Sequence, residues 1–151
     1  MIDKIKIKIK FEIDQIDKLL KDSYLLFKKN KSKKPDFIEI SAIAAVLHSF
    51  YNGIENIFII ISKNIDGKIP KDKNWHKSLI ENLSKSNIKR NIIINENIKK
   101  ILIEYMEFRH FFRHSYTFHL DWDKMKNLVN NINDFWNNLK IQINNFLIKI
   151  K

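Results

Sequence analysis

Apolar residues recur along this chain at spacings of three and four, the pattern of helices that each bury one face. The clearest run is Ile40, Ile43, Leu47, Phe50, Ile54, Ile57 and Ile61, which stacks on a single face without a slip. Asp36, directly after Pro35, stands where an N-cap belongs, and Asp66-Gly67 followed by Pro70 predicts the helix end. A second run, Met125, Leu128, Ile132, Phe135, Leu139, Ile143, Phe146 and Ile150, repeats the spacing behind a cap at Asp121 and predicts one long C-terminal helix. Between the two, Trp75 to Leu83 reads as a short helix. Asn95 opens another, with Ile98, Ile101, Leu102, Tyr105, Phe108 and Phe112 as its apolar set.

The N-terminus fits two periods. Ile5, Ile7, Ile9, Phe11 and Ile13 alternate with polar residues as a half-buried strand would, yet Ile2, Ile5, Ile9, Ile13, Ile16, Leu20, Tyr24 and Phe27 also form one helical stripe. The helix is preferred, because one element then accounts for the whole segment and no other strand is on offer as a pairing partner. The basic cluster Lys28 to Lys34, ended by Pro35, becomes an exposed connection. The fold class expected is therefore all-α: an antiparallel up-and-down four-helix bundle with an additional short helix, in a single domain spanning 1–151.

Composition narrows the function classes. The 151 residues hold no cysteine, which removes disulfides, thiolate metal sites and cysteine nucleophiles. The longest apolar run, Ile57 to Ile61, falls far short of the roughly 18 residues of a membrane span, and Lys4, Lys6, Lys8 and Lys10 break up any signal-peptide core. A cytoplasmic protein with no membrane association is expected. The formal net charge is +11 and the sequence pI about 9.7, which favours an anionic partner such as nucleic acid. That charge is ambiguous, however, because the wealth of Ile, Lys and Asn has the look of AT-rich coding.

Arginine escapes this ambiguity. Beside 25 lysines there are only Arg90, Arg109 and Arg113, and two of the three fall within five residues. Of five histidines, His110, His114 and His119 lie in the same stretch, with His48 and His76 elsewhere. A guanidinium is a planar fork suited to phosphate, and imidazole titrates near neutral pH, so chemistry is expected between Arg109 and His119. Positions five apart on a straight helix point about 140° away from each other at ~100° per residue. Arg109 and His114 are thus expected to share a site only if the helix ends or bends between them, which Ser115, Tyr116 and Thr117 would allow.

Arg109, four residues, His114, one residue and Tyr116 together resemble the signature of the HepT-like toxins of the HEPN superfamily. The likeness runs from about Val46 to the C-terminus and takes in Leu47 to Asn56 and the stretch Phe118-His119-Leu120-Asp121-Trp122. The resemblance implies a metal-independent ribonuclease acting on RNA, with tRNA as the substrate class, and a homodimer whose two motifs meet in a cleft. It makes His114 the general acid or base and Arg109 the group that holds the scissile phosphate, roles that suit their chemistry. It also implies an MntA-like nucleotidyltransferase antitoxin as partner, which transfers AMP to Tyr116 and so adds charge and bulk beside His114. No cofactor is implied.

His110, Arg113 and Ser115 flank the motif and are read as auxiliary RNA contacts. His110 and His114 also have the spacing of two zinc ligands, but no glutamate lies between them and no carboxylate has ligand spacing, so no metal is assigned. His48 and His76 read more readily as structural. Glu55 and Asn56 are candidates for orienting the motif, though such positions are usually solvated helix surface. Phe111, Phe112, Phe118 and Trp122 read as core rather than as base-stacking platforms. Two other functions compete: a HEPN module that binds a nucleotide or partner without cutting RNA, and an interaction bundle whose lysines reflect coding bias alone.

Overall fold

The computed structural model describes residues 1–116 and 119–151. Phe118, expected in the core, lies outside them. The described residues form seven α-helices and no strand: α1 (Ile2–Asp22), α2 (Tyr24–Lys29), α3 (Phe37–Ile61), α4 (Trp75–Leu83), α5 (Glu96–His114), α6 (Trp122–Asn130) and α7 (Ile132–Lys149). The helical reading of the N-terminus holds. Ile5, Ile9, Ile13 and Ile16 are buried on one side of α1, while Ile7 and Phe11, which a strand would have placed with them, face solvent.

Two helices expected to be continuous are bent. The N-terminal stripe crosses from α1 to α2 at Ser23, whose hydroxyl donates to the Leu19 carbonyl at 2.7 Å. Such back-bonding onto the preceding turn is a known cause of helix bending. The C-terminal stripe crosses from α6 to α7 at Asn131, where φ −100° and ψ 0° leave the helical region. Backbone hydrogen bonds from Asn131 to Asn127 and from Phe135 to Asn131 carry each side of the joint, so the apolar face passes through unbroken. The result is four helical rods. α3 packs on α1 and α5, and α7 closes the ring by packing on both α1 and α5. α4 is the additional short helix, seated against α3 and α5, and α6 also touches α3.

α3 is the hub of this arrangement. Asp36 caps it by accepting from the Glu39 backbone amide at 2.8 Å, while the Glu39 carboxylate accepts from the Asp36 amide. Hydrogen bonding from Lys29, and then from that amide, holds the Glu39 carboxyl down at about 2. Among the described residues, the stretch Phe37–Asp66 is the one helix long and apolar enough to cross a membrane. Here it serves as the core: Ile43, Leu47, Phe50, Ile54, Ile57 and Ile61 are all essentially inaccessible. At Gly53 the helix is approached so closely that a Cβ would lie 2.8 Å from the Ile16 side chain of α1.

After Ile61 the helix widens into a π-helical turn, Ser62–Asp66, and stops at Gly67 with φ 85°. The turn delivers Asp66 to Arg90. The Nε and Nη2 of Arg90 each donate to one Asp66 carboxylate oxygen at 2.7 Å. The remaining donors reach the carbonyls of Asn82, Lys85 and Asn91, so all five N–H groups of this buried guanidinium are used. One of the three arginines is therefore a brace that ties the loop before α5 to the end of α3. Arg90→Leu would leave Asp66 charged and unpaired in a largely buried position. It should cost about 3–5 kcal/mol in chemical denaturation, with Arg90→Lys recovering only part because it lacks the planar fork.

Candidate functional site

α5 starts where expected, with the Asn95 side chain accepting from the Ile98 amide at 2.9 Å. Ile98, Leu102, Tyr105 and Phe108 are buried along it. Tyr105 fixes its axial position: the hydroxyl donates to the Leu128 carbonyl of α6 at 2.6 Å, and the ring meets Phe50 edge-on and stacks on Phe135. Burial pushes that phenol up and keeps it a donor.

The helix does not end between Arg109 and His114. It continues through His114 and is released at Ser115, whose φ −128° and ψ 155° are extended. The expected ending is thus corrected, because the His110 to His114 turn is completed rather than frayed. The last turns carry two rows instead. Arg109 and Arg113, four apart, lie on the side facing His48, and both cations disfavour protonation of that ring. His110 and His114 form the neighbouring row, with ring centroids 4.6 Å apart.

Arg109 is positioned from α3. Its Nε donates to Asn52 Oδ1 across 57 positions of sequence, and Asn52 Nδ2 lies 3.0 Å from His48 Nε2. An amide N–H can only donate, so His48 accepts with Nε2 and carries its proton on Nδ1. The result is a relay from guanidinium to amide to neutral imidazole. Burial, followed by the Arg109 and Arg113 charges, lowers the pKa of His48 and favours that neutral state. The His48 ring also packs on Phe112 at 5.2 Å. A carboxylate in place of Asn52 would cancel the arginine charge, whereas an amide orients the fork and leaves the full positive charge for an anion.

On the other side of Arg109, a groove of about 280 Å³ lies between α5 and the start of α4. Arg109 and His110 border it from α5, Lys73, His76 and Lys77 from the α4 side. The His76 Nδ1 lies 2.6 Å from the Glu55 carboxylate of α3, and Trp75 stacks on the His76 ring with centroids 3.6 Å apart. Glu55 is buried rather than solvated, and burial together with its charge pushes the neighbouring Tyr51 phenol up. Asn56 is exposed and takes no part.

The motif residues therefore fall into place as follows. Arg109 and His110 share the groove, and His114, exposed, adjoins it through His110. Arg113 is exposed on the arginine row, and Ser115 is half-buried at the helix end. Tyr116 stands just beyond, 71% exposed, with its ring 6.2 Å from that of His119. No group of three or more His, Asp or Glu side chains among the described residues could hold a metal ion. Trp122 is buried and Phe112 half-buried, as expected of core aromatics, but Phe111 is 42% exposed. Sequence reasoning missed Asn52 as the partner of Arg109. The one available signal was its place four residues after His48, on the polar edge of the α3 stripe.

A closed ring of helical rods, with Arg-X4-His at the end of the third, defines a HEPN-like bundle. The family model for HepT-like proteins matches residues 42–150, and the chain belongs to that family. The match covers α3 from Ala42 through α7 and so includes every residue of the relay, the groove and the motif. No curated protein and no solved structure matches the chain significantly. HepT-like proteins are, as a family, nuclease-type toxins.

The relay makes a pH prediction. Folding disfavours the protonated form of His48, so the stabilisation is complete above its unfolded pKa of about 6.5 and is lost as pH falls through the lower folded value. His48→Gln should flatten the decline in melting temperature between about pH 7.5 and pH 5, measured against wild type by thermal scans.

Proposed function

We propose that this protein is the toxin of a HepT/MntA-type system and cleaves RNA, with tRNA as its substrate, by metal-independent chemistry. The observation that carries this reading is the relay-held Arg109 bordering an open, basic groove together with His110, with His114 one helical turn further on. Arg109 binds the scissile phosphate and opposes the charge that develops on it. Preorganised donors of this kind often contribute the largest part of a rate enhancement. His114 transfers the proton that the reaction requires, accepting from a ribose 2′-hydroxyl or donating to the leaving oxygen. His110, Arg113 and Ser115 contact the RNA around it. The +11 charge draws the polyanion to the surface in a salt-dependent manner.

The active unit in this reading is a homodimer in the cytoplasm, with the two motifs facing one cleft. Silencing comes from an MntA-like nucleotidyltransferase that transfers AMP to Tyr116. Support comes from the exposure of that hydroxyl-bearing ring two residues past His114. Each added phosphate brings negative charge to the place where RNA phosphates must pass.

Purified protein incubated with total tRNA in EDTA should shorten it on a denaturing gel. His114→Ala and Arg109→Ala should each reduce cleavage by at least ~100-fold. Tyr116→Phe should retain cleavage while escaping adenylylation, read by intact mass after treatment with the antitoxin and ATP. Cleavage unchanged in His114→Ala, or absent from unmodified wild type, would favour the binding module instead.

A further inference from the structure

Cleavage of RNA through its own 2′-hydroxyl needs two proton transfers, one from the nucleophile and one to the leaving oxygen. Each protomer's motif contributes one histidine for them, His114, which is not among the residues lining the groove that Arg109 borders. The groove that Arg109 borders is also lined by His76, from a helix outside the motif and 33 positions upstream of Arg109. This ring is held more tightly than a surface histidine requires. Its Nδ1 meets a buried carboxylate, Glu55, at 2.6 Å, and the Trp75 indole stacks on its face. A carboxylate can only accept, so the proton of the neutral ring sits on Nδ1 and the lone pair on Nε2. Among the described residues, no hydrogen-bond partner occupies Nε2. Orientation by a buried carboxylate through one nitrogen is what makes the other nitrogen an effective base.

We propose that the Glu55–His76 pair is the second proton-transfer unit of the ribonuclease site, with His76 the general base and Glu55 its positioning residue. The assignment rests on the ribonuclease reading above. His76 Nε2 takes the 2′-hydroxyl proton, and the 2′-oxygen forms a bond to phosphorus. The bond from phosphorus to the 5′-oxygen breaks, and its electron pair takes a proton from the His114 imidazolium. The products are a 2′,3′-cyclic phosphate and a 5′-hydroxyl, and exchange of one proton with solvent resets both rings. At about 280 Å³ the groove is smaller than the ~300–1,000 Å³ of sites for drug-sized ligands, which suits a phosphodiester and its sugar. The charged and titratable groups facing His76 there are Glu55 from α3, Lys73 and Lys77 flanking it, and Glu107, Arg109 and His110 from α5.

The test is single-turnover cleavage of tRNA in EDTA over a range of pH, with melting temperature recorded for each protein. His76→Gln should cleave about 100-fold more slowly and lose the acid-side rise of the pH profile, while His114→Ala should lose the alkaline-side fall. Glu55→Gln keeps the shape of the buried group but no longer dictates which ring nitrogen carries the proton. It should melt as wild type does, cleave at least ~10-fold more slowly, and serve as the test should His76→Gln fail to fold. Either variant melting and cleaving like wild type, with both limbs of the profile intact, reduces the pair to a brace between α3 and α4 and overturns this inference alone. Wild type that leaves tRNA intact at every pH overturns the ribonuclease reading along with it.

Discussion

A helix surrounded by other helices has to satisfy its polar side chains within the protein, because an unpaired buried polar group costs about 1–3 kcal/mol. α3 is such a helix, in contact with α1, α4, α5 and α6, and it nevertheless carries His48, Asn52 and Glu55 within two turns. Asn52 and Glu55 meet that constraint by reaching a neighbouring helix, while His48 meets it at Nε2 alone, its buried Nδ1 having no hydrogen-bond partner among the described residues. Asn52 bridges His48 to Arg109 of α5, and Glu55 takes the His76 nitrogen of α4. The polar requirement of the core helix and the positioning of the groove are thus one set of bonds. Where these side chains go, α4 and α5 must follow.

This division of labour explains how so short a motif can be held in place. Arg109 and His110 stand on adjacent faces of α5, the first fixed from another helix and the second within its own. The arginine row is fixed by the relay, while packing of the two rings sets the histidine row. Tyr105 pins the same helix to α6 one turn earlier, which resists sliding along its axis. The groove therefore draws on α3, α4 and α5, all within the segment that matches the HepT-like family. α1 and α2 both belong to the part of the chain outside that match, and what α1 supplies is burial: Ile9, Ile13 and Ile16 are buried where it packs on α3.

Much of this architecture was legible because burial imposes a period. The stripe from Ile40 to Ile61 and the caps at Asp36, Asn95 and Asp121 are local in sequence and were found where expected. The bends at Ser23 and Asn131 were not, since the apolar stripe runs straight across both and the period carries no trace of a local change in φ and ψ. For the site, local spacing identified Arg109 and His114 but misjudged how they are related, because it assumed that the two must converge directly. They are linked through His110, four residues from one and adjacent to the other. Arg90 shows the opposite limit: rarity drew notice to it, yet its five donors are all taken up inside the protein. The bonds from Asn52 to Arg109 and from Glu55 to His76 span 57 and 21 positions, and no short-range pattern encodes them.

The π-helical turn at Ser62–Asp66 sets a length that cannot be altered without consequence. A π turn holds roughly one residue more than the α turn it replaces. Removing one residue there would let the helix wind on regularly, and Asp66 would swing by about 100° around the axis. Its carboxylate would then point away from the guanidinium of Arg90, and the strand of loop leading to Asn95 would lose its anchor. The entry point of α5, and with it the height at which Arg109 meets Asn52, is therefore gauged by a single surplus residue at the far end of α3.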